Sequence, residues 1–330
     1  MTRRYLIDNT KCIMITLVVL GHFIEPLINS NNIIKSIFMS IYSVHMPIFV
    51  MLSGVFSRNE FKKENMIKLI NSIFIPFFMF TLLYEAFYFL FTGSLSSYTV
   101  NFQPFWLLWF LFSLFIWKLL LPILLKSHYP VCFSLMISLI AGYIDSIGYF
   151  MGILRTIYFL PFFIVGYKWI GNLIECKKLR KIPKSVYFVI LIFNMVFFLL
   201  ITDFSHTWLY GSIPYAKLGS DGWRAVGIRL VLYSVSFISS FAILMVIPRK
   251  KSVLSKNGSN SIYVYLWHGF IVKICIWFGF LQWLKLKDPI VTMFVLFLIS
   301  ILLTLGLSTD KVRKKTQRIL PKIKVTILRG

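Results

Sequence analysis

The sequence predicts an all-α, polytopic integral membrane protein, and three observations carry that expectation. Hydrophobic residues make up 58% of the 330 positions, charged residues only 14%, and mean hydropathy is +0.80; such a chain cannot cover a soluble globule with polar surface. Apolar runs close to the ~20 residues that a helix needs to cross a bilayer recur along the whole chain. The net charge of +24 falls mostly in the short segments between those runs. That is the pattern of orientation signals rather than of a nucleic-acid groove, so lipid is the expected partner and nucleic acid is not.

Taken in order, the runs lie at about 12–30, 36–56, 67–92, 104–123, 131–149, 153–174, 186–202, 227–248, 260–283 and 289–307, which predicts about ten transmembrane helices. Arg3 and Arg4 precede the first run, but no small-x-small cleavage site follows it, so it is expected to stay as the first helix. The alternate segments 1–11, 57–68, 118–129, 175–184, 249–256 and the tail from Thr309 hold about 26 of the 35 Lys and Arg. By the positive-inside rule both termini are then cytoplasmic, in a multi-pass protein of the cell membrane. The expected organisation is one transmembrane domain over 1–308 and a basic cytoplasmic tail over 309–330, read as an anchor to anionic lipid. The long connection 203–223 carries Trp208, Tyr210, Tyr215 and Trp223, read as an interfacial belt or as a surface stacking on sugar rings. Cys12, Cys132, Cys176 and Cys275 have no metal-ligand spacing and read as packing residues.

The ionisable residues inside the apolar runs carry the functional signal. Eleven residues of helix separate Lys11 from His22, which lifts the imidazole roughly 16 Å above the lysine, about mid-bilayer. His45 lies roughly 18 Å and His268 roughly 12 Å from the cytoplasmic ends of their helices. Three histidines in one slab point to a shared aqueous cavity; interhelical hydrogen bonding is the other reading for each. No metal is expected, since nothing resembles a zinc-ligand spacing. Glu25, Glu85 and Asp145 are candidate carboxylate partners for an imidazole base. Glu25 reads equally as a wetted helix-end charge. Arg155 reads as a snorkelling residue, or as a group that neutralises an oxyanion or holds an anionic substrate.

At the opposite depth, Asp8, Lys11, Ser53 with Gly54, and the run from Lys256 through Asn260 and Ser261 line up at the cytoplasmic boundary. Lysine, small residues and helix-start amides suit phosphate; orientation charges and an N-cap serve as well.

Several segments then bear on identity together. DNTKCIMITLVVLGH, from Asp8 to His22, has a basic residue, ten residues, then histidine after Gly. HMPIFVMLSGVF begins at His45, LLWFLFSL at Leu107, RTIYFLPFFIVGY at Arg155 and NSIYVYLWH at Asn260. This ordered set resembles membrane-bound acyltransferase family 3, in particular its short fucose O-acetylase-like branch. The resemblance implies a cytoplasmic acyl-CoA co-substrate, commonly acetyl-CoA, and an O-acetyltransferase acting on a hydroxyl of a cell-surface or exported glycan, lipid-linked saccharides included. It further implies His22 as the base, with His45 or His268 assisting, Lys11 at the CoA phosphates, and Trp109 walling the cavity. Direct transfer and an acyl-histidine relay both fit. A transporter or flippase with a histidine proton relay is the competing class; it predicts inverted repeats, and the sequence has none.

Overall fold

The computed structural model describes residues 2–59, 62–146 and 149–321, and among them the chain is all-helical, without a strand. Its apolar helices run α1 (Arg4–Leu27), α2 (Asn32–Val55), α3 (Lys63–Thr92), α4 (Trp106–Leu124), α5 (Pro130–Ala141), α6 (Phe150–Leu173), α7 (Lys184–Leu200), α8 (Gly222–Val246), α9 (Ser261–Trp277) and α10 (Pro289–Leu307). Seven of these are long and apolar enough to cross a membrane; α5, α7 and α9 are shorter. The expected runs at 131–149 and 260–283 are thus cut short, each for a local reason. After α5, Gly142 lies hard against the Tyr215 ring, so the chain leaves the helix there. After α9, Gly279 turns the chain at φ +73° into a separate helix, Phe280–Lys285.

α1 is the hub, packed by α2, α9, α10 and the short helix Val253–Ser259. At the last of these contacts Gly258 meets the Asp8 backbone so closely that a Cβ would occupy the position of the Asp8 carbonyl. Asn9 on the same turn is buried. Its Nδ2 donates to the carbonyls of Pro248 (2.7 Å) and Lys250 (3.0 Å), and its Oδ1 accepts from Ser252 and Ser255. α2 and α6 cross at a second glycine contact: Gly54 lies against the Phe163 carbonyl and Gly166 against that of Met51. Small residues allow such backbone approach between apolar helices. Gly166 also opens a π-helical turn, Gly166–Ile170.

α2 bends at Ser43 and Val44, just before His45. Asn194 of α7 bridges that bend to α8, its Nδ2 donating to Ser43 Oγ (3.1 Å) and Ser239 Oγ (3.0 Å).

The connection from α7 to α8 corrects the reading of two of its aromatic rings. Trp208 and Tyr215 are buried. With Tyr158 they box the Arg229 guanidinium of α8, ring centroids lying at 5.9, 4.5 and 5.0 Å. Among these rings only Trp223 is left largely exposed. The basic tail begins as a docked helix, α11 (Asp310–Ile319): Trp267 Nε1 donates to Thr316 Oγ1 (2.8 Å) and Gln317 to the Tyr263 hydroxyl (3.0 Å). The expected tail continues past Pro321 into 322–330, which lie outside the described residues.

Candidate functional site

His22 stands near the end of α1, one turn before Glu25, where Pro26 tightens the chain into a 3-10 turn. The i, i+3 spacing puts both side chains on one face. His22 Nδ1 lies 3.4 Å from Glu25 Oε2, and Glu25 Oε1 accepts from the Tyr210 hydroxyl at 2.7 Å. The carboxylate assigns the ring proton to Nδ1, leaving the Nε2 lone pair as a base. Trp106 meets the imidazole edge-on at 4.7 Å, and His268 stacks on it at 5.5 Å. Trp106 holds φ +32°, a conformation uncommon outside glycine, of the kind that surrounding structure has to enforce.

Three cavities succeed one another along this face, and His22 lies where two of them join. At one end a cavity of about 340 Å³ is lined by Lys11, Ser53, Ser72 and Ser261 over apolar walls such as Phe49 and Phe110. At the other end a cavity of about 360 Å³ is lined by Glu25, Tyr98, Trp106, Trp109, Arg155 and Lys273, with His22 at its wall. Between them a waist of only about 70 Å³ is lined by His22 and His45. It shares Val18, Met46 and Tyr265 with the first cavity and Glu25, Trp106 and Arg155 with the second.

The remaining expected site residues divide. His45 is buried at the waist, where its Nδ1 pairs with the Ile41 carbonyl (2.7 Å). Trp109 walls the waist and the second cavity. Arg155 donates from Nε to the Tyr210 carbonyl (2.9 Å) and from Nη2 to Ser212 Oγ (3.2 Å), with its guanidinium 4.9 Å from the Trp109 ring. It therefore does not snorkel. Lys11 lies 3.8 Å from Asp8 and over Phe56 at 5.1 Å. Asp8 holds Lys11 and, at 3.9 Å, Arg4. It is not on the cavity wall.

Four expectations are corrected. Glu85 is no partner of the imidazole and lines none of the three cavities. Its carboxylate accepts from the Ser96 amide (2.7 Å), Ser96 Oγ (2.6 Å) and Thr99 Oγ1 (2.9 Å), binding the short helix Ser97–Val100 to α3. Asn260 turns away from the lysine cavity, with its Nδ2 donating to the Ser308 carbonyl (2.8 Å). His268 is fully buried behind His22. Its Nδ1 pairs with the Val264 carbonyl (2.9 Å) and its Nε2 has no hydrogen-bond partner among the described residues, so it packs against the His22 ring and does not open into the cavity. Asp145 is exposed and apart from all three cavities.

Sequence reasoning passed over Trp106, Tyr42 and Lys273, and read Tyr210 only as one aromatic ring of the 203–223 connection. Lys273 carried a readable signal, since a lysine inside an apolar helix asks for a reason. Trp106 sat one residue before the block that began at Leu107, and Tyr42 and Tyr210 offered only their polar hydroxyls.

A histidine with a carboxylate behind it, set between a lysine-mouthed cavity and a polar one, is an arrangement for moving a proton during group transfer. A family model described as an acyltransferase domain matches residues 4–309 of the chain. No curated protein and no solved structure matches it. The match runs through all ten apolar helices, and the chain belongs to membrane acyltransferase family 3: it is a membrane protein and an acyltransferase.

Proposed function

We propose that this protein moves an acyl group, ordinarily acetyl, from cytoplasmic acyl-CoA to a hydroxyl of a cell-surface or exported glycan, with His22 as general base. The observation that carries the reading is the position of His22 at the waist shared by two cavities, with Lys11 at the far end of one of them. In this reading the Lys11 end faces the cytoplasm, as the loop charges require, in a multi-pass protein of the cell membrane. Lys11 holds CoA phosphate there as a point charge, and Ser53 and Ser261 line the same mouth. The pantetheine arm rises along Phe49 and Phe110, and the thioester reaches the waist.

The acceptor comes from the Arg155 end. His22 Nε2 takes the proton of its hydroxyl as the oxygen attacks the thioester carbonyl carbon, and the carbonyl electron pair moves onto oxygen. The C–S bond then breaks as the carbonyl re-forms, and the departing CoA thiolate takes the proton from the imidazolium. Glu25 holds the ring in its productive tautomer and stabilises the imidazolium. Arg155 is the cation nearest the waist for the developing oxyanion.

The test is acetyl-CoA binding and turnover by the purified protein in liposomes. His22→Ala is expected to bind acetyl-CoA and to lose about 10²–10⁴-fold in turnover. Lys11→Ala is expected to bind about tenfold more weakly or worse, the loss of one charge-assisted contact. Wild-type protein that neither binds nor consumes any acyl-CoA would refute the reading and leave transport as the leading alternative.

A further inference from the structure

The second cavity carries more positive charge than its own residues neutralise. Its charged lining is Glu25, Arg155 and Lys273, and the one carboxylate is already engaged, by His22 Nδ1 and by the Tyr210 hydroxyl. Arg155 donates through Nε and Nη2 to loop oxygens, and among the described residues its Nη1 has no hydrogen-bond partner. Lys273 makes no ion pair among the described residues. Its ammonium lies 4.6 Å from the Trp106 ring centroid.

Lys273 is hard to explain as an orientation signal. It sits on α9, five residues beyond His268 and four before the helix ends at Trp277, close enough to the end to reach outward to water. Instead it turns inward, over the same indole that abuts His22. A partly desolvated ammonium held by a ring quadrupole keeps its charge available to a ligand. The two indoles that line the cavity are already engaged by cations and neighbouring rings. Trp109 packs with Arg155 at 4.9 Å and with Phe159 at 5.1 Å, and Trp106 with Lys273 at 4.6 Å and with His22 at 4.7 Å. Beside Tyr98, Tyr149, Tyr210, Gln103 and Ser212, the cavity presents two cations to an acceptor.

Resting on the reading that acceptor hydroxyls meet His22 from this end, we infer that the acceptor is anionic: a saccharide unit bearing a carboxylate or phosphate. Lys273 binds that group, and Arg155 adds positive charge to the same cavity. Because His22 and Lys273 pack on one indole, the acylated hydroxyl lies on the charged unit itself or on its immediate neighbour.

The experiment compares methyl glucoside, methyl glucuronide and glucose 1-phosphate as acceptors for the liposome-embedded protein supplied with acetyl-CoA, while following hydrolysis of the thioester. The wild type is expected to use at least one anionic acceptor with kcat/KM ten- to a hundredfold above the neutral one, the worth of a charge-assisted hydrogen bond. The better of the two identifies carboxylate or phosphate. Lys273→Gln is expected to remove that preference by raising KM for the anionic acceptor, and Lys273→Arg to restore most of it. Equal use of neutral and anionic acceptors by the wild type overturns the inference, as does hydrolysis with transfer to none of the three, or a Lys273→Gln effect equal on both kinds of acceptor. Binding of acetyl-CoA by each variant separates loss of fold from loss of acceptor recognition. A wild type that consumes no acetyl-CoA even by hydrolysis brings down the underlying donor assignment as well, which the other outcomes leave intact.

Discussion

Replacing Glu25 with glutamine keeps size and shape, and the hydrogen-bond pattern around it says why the loss should be large. The Tyr210 hydroxyl donates to Oε1 at 2.7 Å and has no other partner among the described residues. In Glu25→Gln the amide oxygen is the natural acceptor for that hydroxyl, which turns the amide NH2 toward His22 Nδ1. The ring must then accept at Nδ1 and carry its proton on Nε2, the nitrogen required as base. A wrong tautomer at a comparable base costs about 10⁴ in kcat. The 3.4 Å separation here is long for a charge-assisted bond, so a loss between about tenfold and 10⁴-fold is expected, about 1.4 to 5.5 kcal/mol of barrier. Removing the hydroxyl frees the amide to turn over. Tyr210→Phe introduced into the Glu25→Gln protein should therefore recover at least tenfold in kcat, although Tyr210→Phe alone is harmful. The assay is single-turnover transfer from saturating acetyl-CoA. Full activity in Glu25→Gln, or no recovery in the double variant, would refute the tautomer argument.

Three further outcomes follow from the packing. Arg229→Ala empties the box of Tyr158, Trp208 and Tyr215 that holds the α7–α8 connection. It should lower the thermal unfolding midpoint and turnover together while acetyl-CoA still binds, because Tyr210 rides on that connection; cation–π contacts of this kind are worth about 0.5–2 kcal/mol each. Gly258→Ala forces the short helix Val253–Ser259 off the Asp8 backbone, an overpacking cost of about 1–3 kcal/mol, measurable as lost monodispersity in detergent. The Cys176 thiol is pulled below its ordinary pKa by the amides of Leu179 and Lys178 at the start of the following helix. Its thiolate fraction at neutral pH is thereby raised, so a membrane-impermeant maleimide should label it first, and only in inside-out vesicles if the basic loops are cytoplasmic. Equal labelling from both faces would reject that orientation.

How much was legible beforehand depended on whether a relation runs along one helix or between helices. The Lys11-to-His22 rise and the His22–Glu25 pairing follow from helical geometry alone, and both residues of each pair line the cavities. Depth was equally readable for His268, but depth carries no azimuth, and the ring faces the back of His22 instead of the cavity. Glu85 failed for a different reason: its donors come from a short helix formed by residues that read as loop. Arg229 is held by Trp208 and Tyr215, which come from a connection whose fold no periodicity announces. The places where apolar runs break off early, at Gly142 and Gly279, were likewise set by contacts and turns that a hydropathy profile does not register.

The narrowness of the waist has an electrical meaning. Cavities that approach from both ends of α1 thin the low-dielectric material to a collar of Val18, Met46 and Tyr265 around the histidine. Across a membrane at 100 mV each unit charge that slips through releases about 2.3 kcal/mol, and a leak at this point would dissipate that potential. A constriction of apolar side chains resists this by refusing to wet, and in the proposed reaction a slender acyl thioester would find in it a surface of its own polarity. On the proposed reading, the collar that limits the room for chemistry would also serve as the gasket that lets a through-going site exist in an energised membrane.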